Sequence, residues 1–256
     1  MAELRKNRAK HKIHNGECAF IAMGYMNPEL IEFLAQFGFD GAWIETEHGP
    51  GSFEDIQNMT RACDVWGISS VVRVNLNDYG WVYRTLDMGA QSIVIPHVNT
   101  AQEAKDFVHA AKFKPIGLRG MYTSRQGLGV KDYFQKANDE TLLCILIEDI
   151  VGLNNLPEIL KVDNIDVFFI ANGDLAQSMG YIGQNNHPEV LAAADRGYKM
   201  IRDAGRIAGA LVVDSNVETY IKKGVKFFAV PWTPWVESGA KNFLEKASRA
   251  EKSLKG

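Results

Sequence analysis

Short apolar runs alternate with longer amphipathic stretches along almost the whole chain. Eight runs have the length and content of buried strands: residues 18–23, 41–45, 70–74, 92–96, 142–147, 166–170, 207–211 and 227–230. Between and after them, residues 28–37, 52–66, 79–88, 100–111, 152–161, 188–204, 215–223 and 235–253 carry apolar positions at helical spacing. Start signals precede several of these helices: Asn27-Pro28, Thr100 followed by Glu103, and Asp214-Ser215 before Glu218. Gly38, Gly67, Gly89, Gly205 and Gly224 stand where helices would end. Strand and helix in strict alternation predict a parallel sheet, and eight such units predict a single closed (β/α)8 TIM barrel spanning residues 1–256 as one domain. No GxGxxG follows the first strand, which argues against a dinucleotide-binding open sheet.

The alternation breaks once, between Phe113 and Asn138, in a stretch rich in glycine and polar residues. A loop this long in a compact domain is usually functional or mobile. The basic opening, Arg5-Lys6-Asn7-Arg8-Ala9-Lys10-His11-Lys12, has no apolar segment behind it, so it reads as a solvated turn or arm rather than a secretory signal.

Charge and cysteine content narrow the setting. The 28 basic and 31 acidic residues give a formal net charge of −3, and no basic cluster with interleaved aromatics follows the N-terminus, so nucleic acid is not an expected partner. No apolar run reaches the ~18 residues that cross a bilayer, and a membrane is not expected either. Cys18, Cys63 and Cys144 show neither CxxC nor ligand spacing and are expected to be buried thiols of a cytoplasmic protein.

In barrel enzymes the chemistry sits where strands end. Glu148 follows the fifth run and Asp174 the sixth; two carboxylates with open positions suit a hard, oxygen-preferring ion such as Mg2+ or Mn2+. Each has a structural alternative as the cap of a following helical turn. Glu45 and His48 leave the second strand, and a histidine beside acids can be held in one tautomer as a general base. Glu45 is a supporting acid or a solvated strand end. Arg73 closes Val71-Val72-Arg73, where a buried guanidinium needs a partner: either an anionic oxygen of substrate, or Glu45 or Glu47 in an ion pair.

Taken in order, Glu47-His48-Gly49, Val72-Arg73-Val74, Leu86-Asp87-Met88-Gly89-Ala90, Ile95-Pro96, Gly117-Leu118-Arg119-Gly120, Ile147-Glu148 and Gly173-Asp174-Leu175 resemble the motifs of the HpcH/HpaI aldolases, which are metal-dependent class II pyruvate aldolases. The resemblance implies a barrel of the phosphoenolpyruvate/pyruvate type, with Mg2+, Mn2+ or Co2+ held by Glu148 and Asp174. It implies that a 2-oxo acid binds through the backbone at Gly173 and Asp174, with Arg73 on the keto oxygen and Leu211 lining the substrate space. His48 matches the family's proton-transfer histidine and Asp87 an acid that supports it, across a subunit interface; read by itself, Asp87 is an ordinary helix-end residue before Gly89.

The activity so implied is cleavage or formation of a 4-hydroxy-2-oxo acid, giving pyruvate or hydroxypyruvate plus an aldehyde. Two alternatives stand beside it: decarboxylation of an oxaloacetate-like acid through the same enolate, and a barrel that binds a 2-oxo acid and metal without turnover. The family further implies a homotrimer or homohexamer with the C-terminal helix packed on a neighbouring subunit. The sequence departs from the family at Ala22, Glu45, Leu146, His97, Asn172-Gly173 and the Trp232-Thr233-Pro234-Trp235 turn. Ala22 and Leu146 predict a roomier, less polar pocket.

Overall fold

In the computed structural model, which describes residues 2–49 and 51–254, eight parallel strands close on themselves in sequence order. They are β1 (Ala19–Met23), β2 (Gly41–Glu45), β3 (Ser69–Arg73), β4 (Ser92–Ile95), β5 (Leu142–Ile147), β6 (Val167–Ile170), β7 (Ala208–Leu211) and β8 (Phe227–Pro231), with β8 pairing back to β1. The helices are α1 (Arg8–His14), α2 (Pro28–Ala35), α3 (Phe53–Trp66), α4 (Tyr79–Asp87), α5 (Ala101–Ala111), α6 (Tyr133–Glu140), α7 (Ile150–Asn154), α8 (Leu156–Ile159), α9 (Asn172–Ser178), α10 (Pro188–Asp203), α11 (Val217–Lys222) and α12 (Thr233–Ser253). Pro50, at the end of the His48 turn, lies outside the described residues.

Side-chain alternation along each strand builds two cores. On β5, Leu142, Cys144 and Leu146 point into the barrel with Trp43, Val71, Val94, Val167, Phe169 and Phe227. Leu143, Ile145 and Ile147 point outward into the layer shared with the helices. Because both faces of a strand are covered, the strands are apolar without interruption, which is why they stand out in the sequence.

The basic N-terminal segment is not a solvated arm. It forms α1, whose Ala9 and Ile13 join the interior barrel core. Asn7, fully buried, caps it and bonds Gln91 O, Ser92 Oγ and Glu140 O. Arg8 and Lys12 reach Asp40 at 2.9 Å each, and Lys10 and His14 reach Asp166 at 3.3 and 2.8 Å. Asp40 and Asp166 precede β2 and β6, so the helix plugs the N-terminal mouth, with long cationic stems lying over apolar surface and their heads paired. Only two apolar residues among the cations face inward, too few to disclose the helix in advance.

Three other expectations change. The stretch 152–161 is two helical turns, α7 and α8, parted at Asn155 ahead of Pro157. The loop between Phe113 and Asn138 holds the start of α6, a mostly polar helix that buries Tyr133 and Ala137, and is anchored by the buried Arg119, Ser124 and Gln126. Cys18 is only half-buried, whereas Cys63 and Cys144 are buried; all three are unpaired. Among the described residues no helix is long and apolar enough to cross a membrane.

Candidate active site

At the C-terminal rim, the turn after β2 is organised by one carboxylate. Glu45 Oε1 accepts the backbone N–H groups of Glu47 and His48 at 2.8 and 3.1 Å. Its Oε2 accepts from Trp43 Nε1 at 3.2 Å and from Arg73 Nε at 2.8 Å, with Arg73 Nη2 2.7 Å away in an ion pair. Burial pushes the Glu45 carboxyl up, but the Arg73 bonds and the two backbone N–H groups outweigh it and hold the carboxyl below its ordinary value.

Arg73 therefore makes the ion pair that its strand-end position allowed. Its Nη1 adds Glu47 Oε2 at 2.9 Å, and Arg73 and Glu47 are only 11% and 9% exposed. Of its donors, Nε hydrogen-bonds Glu45, while Nη1 and Nη2 lie at ion-pair distance from Glu47 and Glu45. Glu47 stays above the usual carboxylate range because burial, with help from Glu45, outweighs the pull of Arg73 and of His48 and His97.

Glu148 is 1% exposed beyond the end of β5. Its Oε1 accepts from the His97 backbone N–H at 2.7 Å, and among the described residues no protein donor reaches its other oxygen. Burial pushes its carboxyl up to about 7, the His97 N–H and ring pull it down, and the nearby charges of Asp174 and Glu47 push it up again. Such a carboxylate calls for a cation. Asp174 lies in the first turn of α9, where the backbone N–H groups of Gly173 and Asp174 precede the first intrahelical bond, Leu175 N–H to Ala171 O. Among the described residues no group of three or more His, Cys, Asp or Glu could hold a metal unaided. Two oxygen ligands with water or substrate completing the shell nonetheless fit a divalent ion.

A cavity of ≈ 450 Å³ opens over this rim. His48, Arg73, Gly173, Asp174 and Leu211 line it, above a floor of Trp43, Leu146 and Phe169. A side chamber of ≈ 300 Å³ shares Met23, His48 and Arg73 and is walled by Tyr25, Met26 and Met59. His48 is 68% exposed, its Nε2 3.8 Å from Glu47 Oε2, so its ring is free to meet a substrate.

Asp87 is elsewhere. It ends α4, on the way back to the barrel's N-terminal side, and its Oδ1 accepts from Arg119 Nη2 at 2.7 Å. One chain alone does not bring it to His48.

The sequence reading missed several residues. His97, at φ +52°, follows Pro96 at the end of β4; its ring bonds Asp149 at 3.0 Å while its N–H holds Glu148. Burial disfavours its charge, yet Asp149, Glu148 and Glu47 raise its pKa overall. The strand-end rule that found Glu148 could have found His97. Asn172, Asn185, Asn186 and Asn216 add four amides to the cavity wall. The pocket is thus apolar in its floor, as Leu146 predicts, and polar in its wall, from three places far apart in sequence that no local pattern connects.

A closed (β/α)8 barrel that gathers carboxylates, a guanidinium and a histidine at its strand ends has the layout of the barrel enzymes. The comparisons narrow the class. Residues 21–233 match the family described as HpcH/HpaI aldolase/citrate lyase. The chain is 34% identical over 213 residues, 81% of each protein, to the 4-hydroxy-2-oxo-heptane-1,7-dioate aldolase of Shigella sonnei. It is also 34% identical over 239 residues, 91% of each, to the enzyme of that name from Salmonella dublin. An HpcH/HpaI aldolase/citrate lyase family protein from Burkholderia cenocepacia superposes with a TM-score of 0.89 at 25% identity, covering 95% of this chain and 100% of that one. The chain belongs to the HpcH/HpaI aldolase/citrate lyase family, and it is a carbon–carbon lyase of the aldolase type.

Proposed function

We propose that the protein cleaves or forms a 4-hydroxy-2-oxo acid, with pyruvate or hydroxypyruvate as the 2-oxo acid and an aldehyde as the second product. The observation that carries this reading is Arg73: held between Glu45 and Glu47, it lines the cavity that Asp174 and His48 also line. The relatives named as aldolases of a 4-hydroxy-2-oxo diacid support it.

Glu148 and Asp174 would hold a divalent ion, Mg2+, Mn2+ or Co2+, which when bound supplies positive charge for the carboxylate and keto oxygens of the substrate. Asp174 and Gly173 present backbone N–H groups to the substrate carboxylate. Arg73 donates to the keto oxygen, so charge arriving there as C3–C4 breaks meets a donor already in place. His48 takes the proton of the 4-hydroxyl; the O–H bonding pair forms the aldehyde C=O as C3–C4 breaks, the C3–C4 pair becomes the enolate, and a proton returned to C3 gives the methyl group. Glu45 acts by positioning: it holds the backbone at His48 and the guanidinium of Arg73 with one carboxylate. Leu211 and the floor residues confine the 2-oxo acid, and the methionine-walled side chamber offers space for the aldehyde.

Asp87 would reach a proton-transfer site only in another copy, which fits the proposed homotrimer or homohexamer. Helix α12 supports assembly: it buries none of its residues and exposes Phe243 and Leu244 by 70% and 65%. Three unpaired thiols support a cytoplasmic setting.

Pyruvate in D2O with a Mn2+ or Mg2+ salt tests the enolate step by NMR, and a panel of short aldehydes then tests carbon–carbon bond formation. Deuterium in the methyl group and an aldol product are expected. Failure of both with every metal and aldehyde would sink the reading.

A further inference from the structure

The opposite end of the barrel holds a second cavity, ≈ 540 Å³ in volume, whose wall includes Lys10, His11, His14, Lys112, Asp166 and Arg206. Lys112, just past α5, is 2% exposed. Its ammonium donates to Asn138 O and Thr141 O, each at 2.6 Å, and Lys10 donates to the same Thr141 O at 2.8 Å. Arg206 donates to the carbonyls of Leu160, Val162 and Ile165 at 3.3, 2.9 and 2.9 Å, its guanidinium 5.0 Å from the Phe168 ring centroid.

Among the described residues neither the buried Lys112 nor the half-buried Arg206 has a carboxylate within ion-pair distance, which for a cation as buried as Lys112 is unusual. The acid in the wall is already engaged. Asp166 Oδ1 meets His14 Nε2 at 2.8 Å and Lys10 Nζ at 3.3 Å, and its Oδ2 accepts the Leu143 N–H at 2.8 Å. Asp139 also lines the cavity and makes no ion pair among the described residues. Burial, reinforced by Lys10, pushes the Lys112 ammonium down to about 7 against the weaker opposite pull of Asp166 and Asp139. Carbonyls hold Lys112 and Arg206 in place and occupy part of their donors; Arg206 Nε and the second N–H of its Nη1 make no hydrogen bond among the described residues, so an anion entering here would meet those donors already positioned.

We propose that this cavity is an anion site, taking a compact oxyanion of at least two negative charges between Lys112, Lys10, His14 and Arg206, at the end of the barrel remote from Asp174. The class includes phosphate groups and small polycarboxylates, whose charge and acceptor geometry are alike. Occupancy would tie α1, which plugs the barrel mouth, to the ends of α5 and α6, so binding should raise thermal stability.

Full-length protein titrated calorimetrically with inorganic phosphate, with citrate, and with chloride at matched ionic strength tests this. Crystals soaked in tungstate locate the bound anion by its anomalous signal. Saturable binding of phosphate or citrate but not chloride is expected, with anomalous density in this cavity. Phosphate alone would point to a phosphorylated ligand, and citrate alone to a polycarboxylate. Lys10→Gln should weaken binding about tenfold, the loss of one charge-assisted bond. Should Lys112 or Arg206 variants fail to fold, Lys10→Gln and His14→Gln, which alter more exposed side chains, decide the matter. No saturable binding, binding untouched by both variants, or density only at the Asp174 end would overturn the proposal.

Discussion

Replacing Arg73 by methionine tests the architecture of the rim most directly. Arg73, Glu45 and Glu47 are 11%, 14% and 9% exposed, and three contacts of 2.7 to 2.9 Å bind them. Removing one partner of a buried ion pair leaves the other uncompensated at a cost of about 3–5 kcal/mol, whereas an exposed pair contributes at most about 1 kcal/mol. Two carboxylates lose their cation here, so Arg73→Met should cost about 3–5 kcal/mol near pH 8, read by urea unfolding followed by circular dichroism.

The sign of its pH dependence follows from Glu45. Its folded pKa is lowered, so it contributes stability that is present above its unfolded value and lost as pH falls through the folded one. The variant forfeits that contribution at neutral pH, and protonation relieves the stranded acids at low pH. The gap between wild type and variant should therefore narrow from pH 8 toward pH 4–5, and Arg73→Met/Glu45→Gln should recover part of the loss. A gap below about 1 kcal/mol, or one that does not change with pH, would refute the view of Arg73 as the buried cation that holds the rim together.

His48→Ala should leave stability within about 0.5 kcal/mol, because the ring is 68% exposed, yet slow aldol turnover roughly 10²–10⁴-fold; equal losses of stability and rate would show a structural role instead. Asp174→Asn should weaken Mn2+ binding by about 100-fold or more in a calorimetric titration, while unchanged affinity would remove it from the ligand set. Asp166, nearly fully buried, has its pKa raised by burial but lowered more strongly by His14, Lys10 and Lys112, so its contribution is present at pH 7 and lost as pH falls through its lowered folded pKa. Asp166→Asn should consequently destabilise at pH 7 by about 2–4 kcal/mol and converge with wild type in acid. Gly152→Ala would place a Cβ 2.6 Å from Val98 O and 2.9 Å from Asn99 Oδ1, and should cost about 1–3 kcal/mol in thermal unfolding; an unchanged melting temperature would contradict that close approach.

The barrel was legible because its strands are buried on both faces and read as unbroken apolar runs, and because the polar residue that ends such a run has few reasons to be there. Glu45, Arg73 and Glu148 follow from that logic, and Asp174 follows from it with a short loop in between. What could not be read was long-range. Residue spacing left Arg73 free to pair with protein or with substrate; the folded rim pairs it with Glu45 and Glu47 at the edge of the cavity. The cavity-wall amides come from the start of α9 (Asn172), the connection from α9 to α10 (Asn185 and Asn186) and the start of α11 (Asn216). Helix α1 is short and nearly all cationic, and only the acids at the strand starts, Asp40 and Asp166, explain why it docks.

Charge balance at the rim joins the ion pair to the cation site. Glu45, Glu47, Glu148 and Asp174 carry four negative charges when ionised, and Arg73 one positive, a balance of 1 − 4 = −3 before the histidines are counted. Arg73 is consumed by the Glu45–Glu47 side, where it keeps Glu45 low. No such partner serves Glu148, and its carboxyl rises to about 7 under burial and the charges of Asp174 and Glu47. The rim is thus divided: in one half Arg73 offsets part of the charge of Glu45 and Glu47, while the other is left without a cation of the chain. A divalent ion held by Glu148 and Asp174 would bring the balance to −1, and it would do so on the side where a 2-oxo acid must place its own carboxylate. Substrate and cation are therefore expected to bind with positive cooperativity, so that pyruvate tightens Mn2+ and Mn2+ tightens pyruvate by the same factor. Independent affinities in paired calorimetric titrations would show that the two half-sites do not share their charge.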